Sequence, residues 1–354
     1  MAEYPGDLIT RPAPEGAARV SLAYLDAAHA ADQRLADPGD MEALHDFRVA
    51  LRRLRSTLRG FRSELDDAVS RKLRNRLRDL TRATAPGRDA EVLIAAVKAL
   101  EQKLTRGQRS GVPWLLARLA DRRDRAYDEL RRELVPEYRQ IERRLRKALS
   151  VVVRRPRIAA TEAPTFGAVA ATLLSDHAAL LEQELASIRT PDDESAVHGV
   201  RITAKRLRYL LEPLGAIEPR AAAVLPRLKE IQAQLGDVHD LQVLAAQLAE
   251  AVGDAGAERA RRLHDMTLSR VGGRPLATPD RPRATTTGLL ALARLVHHTQ
   301  DELFRRFTSD WPAEARTDVW TELAAIAAAL TTHPTPLHRA LRAPRALRTR
   351  RAVT

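Results

Sequence analysis

The 354-residue sequence has no cysteine, only 4% aromatic residues, and only six lysines among its 59 basic side chains. Without cysteine there are no disulfides and no thiolate metal sites, so nothing calls for an oxidising compartment. No apolar run approaches the ~18 residues of a membrane-spanning helix. The opening MAEYPGDLIT lacks the basic and apolar regions of a secretory signal. The expectation is a cytoplasmic chain with no membrane partner. An enzyme acting on nucleotides or other phosphate compounds would need an acidic cluster for Mg²⁺ or a glycine-rich phosphate loop, and GxxxxGK[ST] is missing. No catalytic residue, metal site or cofactor is assigned.

What is present is 44% hydrophobic residue, rich in Ala and Leu, together with much Arg: a composition of helix formers. The length suits about two domains on a prior of ~150 residues each. Basic residues outnumber acidic ones 59 to 46, a net charge of +13. Either the partner is an anion, or the arginines merely solvate helix faces and pair with acids four residues away. Their placement decides between these readings.

Leu, Ala and Val recur three and four positions apart almost throughout, and no stretch of alternating β-branched residues stands out, which predicts an all-α fold. Pro and Gly mark breaks at Pro38-Gly39, Pro86-Gly87, Arg106 to Pro113, Pro136 and Arg154 to Pro164. Further breaks follow at Pro191, Pro213 to Pro219, Gly236, Gly253 to Gly256, Gly272 to Pro282 and Pro312. The expected organisation is an N-terminal extension (1–14), a first helical bundle (15–153), a linker (154–164), a second bundle (165–333) and a flexible basic tail (334–354). Each half is expected to hold five or six helices.

An internal repeat links the halves. LHDFRVALRRLRSTL, from Leu44, aligns without gaps on VHGVRITAKRLRYLL, from Val197, and RDAEVL at Arg88 matches HDLQVL at His239. The chain reads as a duplicated, pseudo-symmetric pair of antiparallel bundles.

At 100° per residue, His45, Arg48, Arg52, Arg55 and Arg59 fall in one stripe about 80° wide. Leu44, Phe47, Leu51, Leu54, Leu58 and Phe61 lie beside it, so the cations flank the buried face instead of opposing it. The second copy repeats the phase with His198, Arg201, Lys205 and Arg208, and departs only where Glu212 stands opposite Arg59. Arg74 and Arg78 form another such row beside Leu73, Leu77 and Leu80, and Lys229 is the second-half counterpart of Arg78. Like charges stacked this way cost about 0.2–0.5 kcal/mol per pair unless acidic partners or a bound anion compensate, and few acids lie on the stripe. Arginine suits phosphate, because its planar fork makes bidentate charge-assisted hydrogen bonds. The stripes thus point to a groove for a ligand with closely spaced negative charges.

His45 and His198 lack a neighbouring nucleophile, carboxylate pair or further metal ligands, which favours phosphate contact or helix positioning over catalysis or metal binding. The other histidines are treated as incidental. Asp89 and Asp240 are expected to orient a stripe arginine or cap a helix. Tyr209 is expected to pack near the stripe.

The two His-x-x-Arg-x-x-x-[Arg/Lys]-Arg-x-Arg helices, at His45 and His198, resemble the conserved histidine α-helical domain, or CHAD, over residues ~15 to ~330. The resemblance implies two pseudo-symmetric helical bundles, binding of inorganic polyphosphate through the basic residues of these helices, and association with polyphosphate granules. The family's Leu-Gly-x-x-[Arg/His]-Asp loop is present as Leu235, Gly236, His239 and Asp240, whereas the first half has Thr84, Ala85, Arg88 and Asp89. No β-rich triphosphate-hydrolase segment accompanies it. The functional expectation is a non-enzymatic polyphosphate binder, with other polyanions as further candidate partners. The alternatives are an RNA or single-stranded DNA backbone binder, which would want more aromatic stacking platforms, and a polyphosphate- or nucleotide-cleaving enzyme.

Overall fold

The computed structural model describes residues 4–37, 39–40, 42–154, 164–268 and 281–332. It is all-α, and among the described residues there is no strand. The helices are α1 (Ala13–Arg34), α2 (Ala43–Gly60), α3 (Arg62–Leu65), α4 (Arg71–Ala83), α5 (Ala85–Glu101), α6 (Val112–Glu129), α7 (Val135–Arg154), α8 (Phe166–Ser187), α9 (Glu194–Leu211), α10 (Pro219–Leu268), α11 (Arg281–Asp310) and α12 (Ala313–Thr332). Among the described residues seven helices lie in the first half, one more than expected because the single-turn α3 stands apart, and five in the second. Most of the predicted linker, and the whole basic tail, fall outside the described residues.

The periodicity of α2 dictates its burial. Leu44, Phe47, Leu51, Leu54, Leu58 and Phe61 are all buried, as are Val197, Val200, Leu207 and Leu211 on α9 and Leu73, Leu77 and Leu80 on α4. Each such side chain contributes about 1.5–3 kcal/mol on burial. That outweighs the repulsion of the adjacent arginines, so the charged stripes persist on stable helices.

Two apolar clusters result, and each draws on both halves. The larger joins α1, α2, α4, α7, α8, α9 and α12 with the start of α10, and contains the edge-on pair Phe47–Tyr138 and the stacked pair Phe61–Phe166. The smaller joins α5 and α6 to the middle of α10 and α11. The N-terminal extension takes part, since Leu8 and Ile9 are buried in the larger cluster. The starts of α1 and α8 are tied by two backbone hydrogen bonds of 2.8 Å, Ala13 N–H to Pro164 and Phe166 N–H to Arg11.

Some expected breaks are absent. Gly236, Gly253 and Gly256 lie inside α10, and Leu235 to Asp240 is helix, not a loop. A glycine costs a helix only about 1 kcal/mol, whereas buried Leu235, Val238, Leu241, Leu244 and Leu248 run through this stretch. The corresponding stretch of the first half does break, at Thr84 between α4 and α5. Pro136 does not end its helix either: a π-helical turn, Leu130–Leu134, precedes it and joins α6 to α7. A widened turn relieves the ring clash and missing N–H of proline.

Gly111 is required by close backbone approach. A Cβ there would stand 2.5 Å from the Thr285 carbonyl oxygen and 2.7 Å from the Leu289 nitrogen, where the 3₁₀ segment Arg106–Gly111 meets α11. Gly111→Ala is expected to lower stability by about 1–3 kcal/mol through overpacking, read as a fall in urea midpoint at unchanged slope.

Candidate functional site

The α2 and α9 stripes come from opposite halves, and packing of α2 on α9 sets them side by side. Arg48 lies 3.9 Å from Asp89 and 3.0 Å from the Thr84 hydroxyl, while Arg201 lies 3.6 Å from Asp240. The pairs match across the repeat, so both aspartates face a stripe arginine. Arg48 and Arg201 are nearly covered, their side chains 11% and 15% exposed. His198 stacks obliquely on His239, with ring centroids 5.2 Å apart.

Between these pairs stand Arg52 and Lys205, both half-buried. Neither makes a hydrogen bond or ion pair among the described residues, and the buried Nε of Arg52 and of Arg201 donate to no partner there. Burial, Arg201 and Arg52 push the Lys205 ammonium down to about 7. Burial also lowers Arg48, to about 10, with Arg52 and Arg88 adding to the effect and Asp89 opposing it. It lowers Arg201 as well, where Asp240 opposes and Arg52 contributes. His45 is lowered by burial and Arg88, and His198 by burial, Arg201 and Lys205. His239 is pushed down to about 4 by burial, Arg201 and His198. Every shift has the same meaning: the site disfavours further positive charge, and a bound polyanion would reverse that.

The stripe continues along α2. Arg55 is lowered by burial and by the fields of Arg82, Arg59, Arg78 and Arg206. Arg59 is exposed, and Arg55 and Arg59 also have no hydrogen bond or ion pair among the described residues.

Residues 20–249 match the sequence model of the CHAD domain. The chain belongs to the CHAD domain family. No curated protein matches it. Among solved structures, it is similar to the CHAD domain of the plant Ricinus communis, with 20% identity, TM-score 0.55, and 92% of this chain and 94% of that one covered. It is also similar to PptA from Streptomyces chartreusis, with 19% identity, TM-score 0.56, and 88% and 99% coverage. Both likenesses concern the fold.

Within this CHAD domain the twelve predicted side chains are not equivalent. Arg74 is held by Asp66 and Arg78 by Asp79 at 2.9 Å. Arg208 donates to Gln232 at 2.7 Å and lies 3.2 Å from Glu212. Lys229 is exposed on α10, with no bond to the stripe among the described residues. Arg53 closes a bidentate pair with Glu212 across the α2–α9 interface, at 2.7 and 3.0 Å. The Glu212 that breaks the stripe pattern is thus an internal anion. Tyr209 packs against the guanidiniums of Arg208 and Arg53, 5.0 and 5.8 Å from its ring centre. Glu212→Gln is expected to cost about 1.5–3 kcal/mol of stability, the worth of a hydrogen bond to a charged group, while freeing Arg208 and tightening polyanion binding; urea unfolding and a polyanion titration check the two signs.

Sequence reasoning missed Arg88, Arg206 and His239, though each lies in the repeat. The identity of Arg53 with Arg206, and the match of Arg88 to His239, were the available signals. His298, treated as incidental, stands 3.2 Å from Glu302. Among the described residues, no group of three or more His, Asp or Glu side chains could hold a metal ion.

Proposed function

We propose that this protein binds inorganic polyphosphate, without catalysing its cleavage, along the seam where the α2 and α9 stripes meet. Polyphosphate binding is the property associated with the CHAD family to which the chain belongs. The observation carrying the reading is the pairing of Arg52 with Lys205: two half-buried cations from opposite halves, without acidic partners, each within the other's field. Arg48 and Arg201 flank them, with His45 and His198 beside, and Arg55 and Arg59 extend the path. Arg74, Arg78 and Arg208, already engaged by Asp66, Asp79 and Glu212, and exposed Lys229 form its periphery.

Successive phosphates of one polymer engage in series at high effective concentration, so affinity should rise with chain length and short phosphates should bind poorly. No helix among the described residues is long and apolar enough to cross a membrane. Cytoplasmic residence at polyphosphate granules is part of the same proposal and rests on the family to which the chain belongs. The test is displacement of labelled long-chain polyphosphate at ~0.15 M salt, where long-range attraction is screened, by equal phosphate equivalents of single-stranded RNA or DNA. Weak competition supports the proposal; equal or better competition assigns the groove to nucleic-acid backbone.

A further inference from the structure

A cleft of about 260 Å³ opens between α1, α2, α8 and α9, beyond the seam. Its walls differ from those of the stripe. Phe61 and Phe166, stacked at 4.7 Å with planes 5° apart, line it together with Leu173, Leu180 and Leu210. Two guanidiniums, Arg59 and Arg206, stand in the same lining, and neither has a hydrogen bond or ion pair among the described residues. Burial and the field of Arg59 lower Arg206, with Glu184 opposing. The one acid of the lining, Asp176, is exposed. His177 adds no cation: burial, Arg206 and Arg59 lower it, and its Nδ1 donates to the Leu173 carbonyl at 2.7 Å.

Two unpaired cations beside an apolar wall match neither a hydrated phosphate chain, which gains nothing from phenylalanine and leucine, nor a neutral hydrocarbon, which leaves the guanidiniums uncompensated. We propose that this cleft is a second ligand site, for a small organic carboxylate with an apolar body. Its carboxylate bonds to Arg206 and Arg59, for which the guanidinium fork is geometrically suited, and its hydrocarbon lies against Phe61, Phe166 and the leucines. The volume, below that of drug-sized pockets, limits the ligand to about ten non-hydrogen atoms. This site goes beyond the polyphosphate reading and does not depend on it: Arg59, at the end of the α2 stripe, is shared by the two, whereas Arg206 and the apolar wall belong to the cleft alone.

The experiment is calorimetric titration of the full chain with octanoate, octanol and acetate. Saturable octanoate binding is expected, at least tenfold tighter than octanol, with no measurable binding of acetate. Arg206→Gln should weaken octanoate at least tenfold. Leu180→Trp, at a position 37% exposed and hence replaceable without disturbing the core, should block the cleft and do the same. Circular dichroism and melting curves establish that each variant is folded, and Leu180→Trp carries the test should Arg206→Gln unfold. Octanol binding as tight as octanoate, absence of saturable octanoate heat, or indifference of a folded variant overturns the proposal.

Discussion

Arg52→Glu combined with Lys205→Glu is expected to weaken binding of long-chain polyphosphate by a hundredfold or more while leaving the helices intact. Each charge-assisted hydrogen bond to phosphate contributes about 1.5–3 kcal/mol, so losing two removes at least about 3 kcal/mol, and every 1.4 kcal/mol is tenfold in affinity. The new carboxylates add repulsion in the middle of the seam. Stability should hold, because neither residue fills the core or has an ion-pair partner among the described residues. The double change also replaces mutual repulsion among Arg52, Arg201 and Lys205 with attraction to Arg201. Fluorescence binding and circular dichroism decide the matter together. A loss below tenfold in a folded variant would falsify the seam as the binding path, and loss of helicity would make the stripe structural.

The second large effect is on protons. In the free protein Lys205 titrates at about 7, lowered by burial and by Arg201 and Arg52. A polyanion lying against it restores the charged form, so binding at pH 7 should draw in about half a proton at this site. The sign follows: the ligand favours protonated Lys205, so affinity strengthens as pH falls from 8 to 6 and weakens as pH rises through about 7. His198 and His239, also depressed and beside the same cations, add to uptake at the acid end. The unliganded protein behaves oppositely. Lys205 is lowered from its ordinary 10.5, so the unfolded chain holds more protons between about 7 and 10.5, and this residue's contribution to stability rises with pH across that window. Calorimetry in buffers of different ionisation heat measures the uptake. Lys205→Arg, which keeps the charge but does not titrate near 7, should bind at least as well with a flatter pH profile. An unchanged profile would assign the proton linkage to the histidines.

Much of the site was legible in advance because helical phase is a local property. The stripe His45, Arg48, Arg52, Arg55, Arg59 and the buried row beside it follow from 3.6-residue periodicity, and the same row recurs on α9. The repeat also announced Asp89 and Asp240 as equivalents, and both face the aligned arginine. What periodicity does not carry is the identity of neighbours from distant sequence. Glu212 looked like a flaw in the second stripe, yet it lies 159 positions from the Arg53 it grips. Arg74 looked like a free cation until folding placed Asp66 against it. Gly236 looked like a turn, because a single residue's propensity of about 1 kcal/mol is visible in sequence while the burial that overrides it is not.

By itself, then, the amino-acid sequence determined the all-α architecture, the repeated motif, the cationic rows flanking each core face, and the family resemblance, all of which rest on spacing within one helix. Tertiary structure decided which of those cations remain without a counter-charge. Among the described residues Arg52, Arg55, Arg59 and Lys205 do, whereas Arg74, Arg78 and Arg208 are engaged by acids. It also decided that the two stripes share one seam and that Lys205 sits where its proton is half lost near neutral pH. Coulomb interaction and desolvation depend on distance in space, and only packing of α2 against α9 brings the two halves within that range.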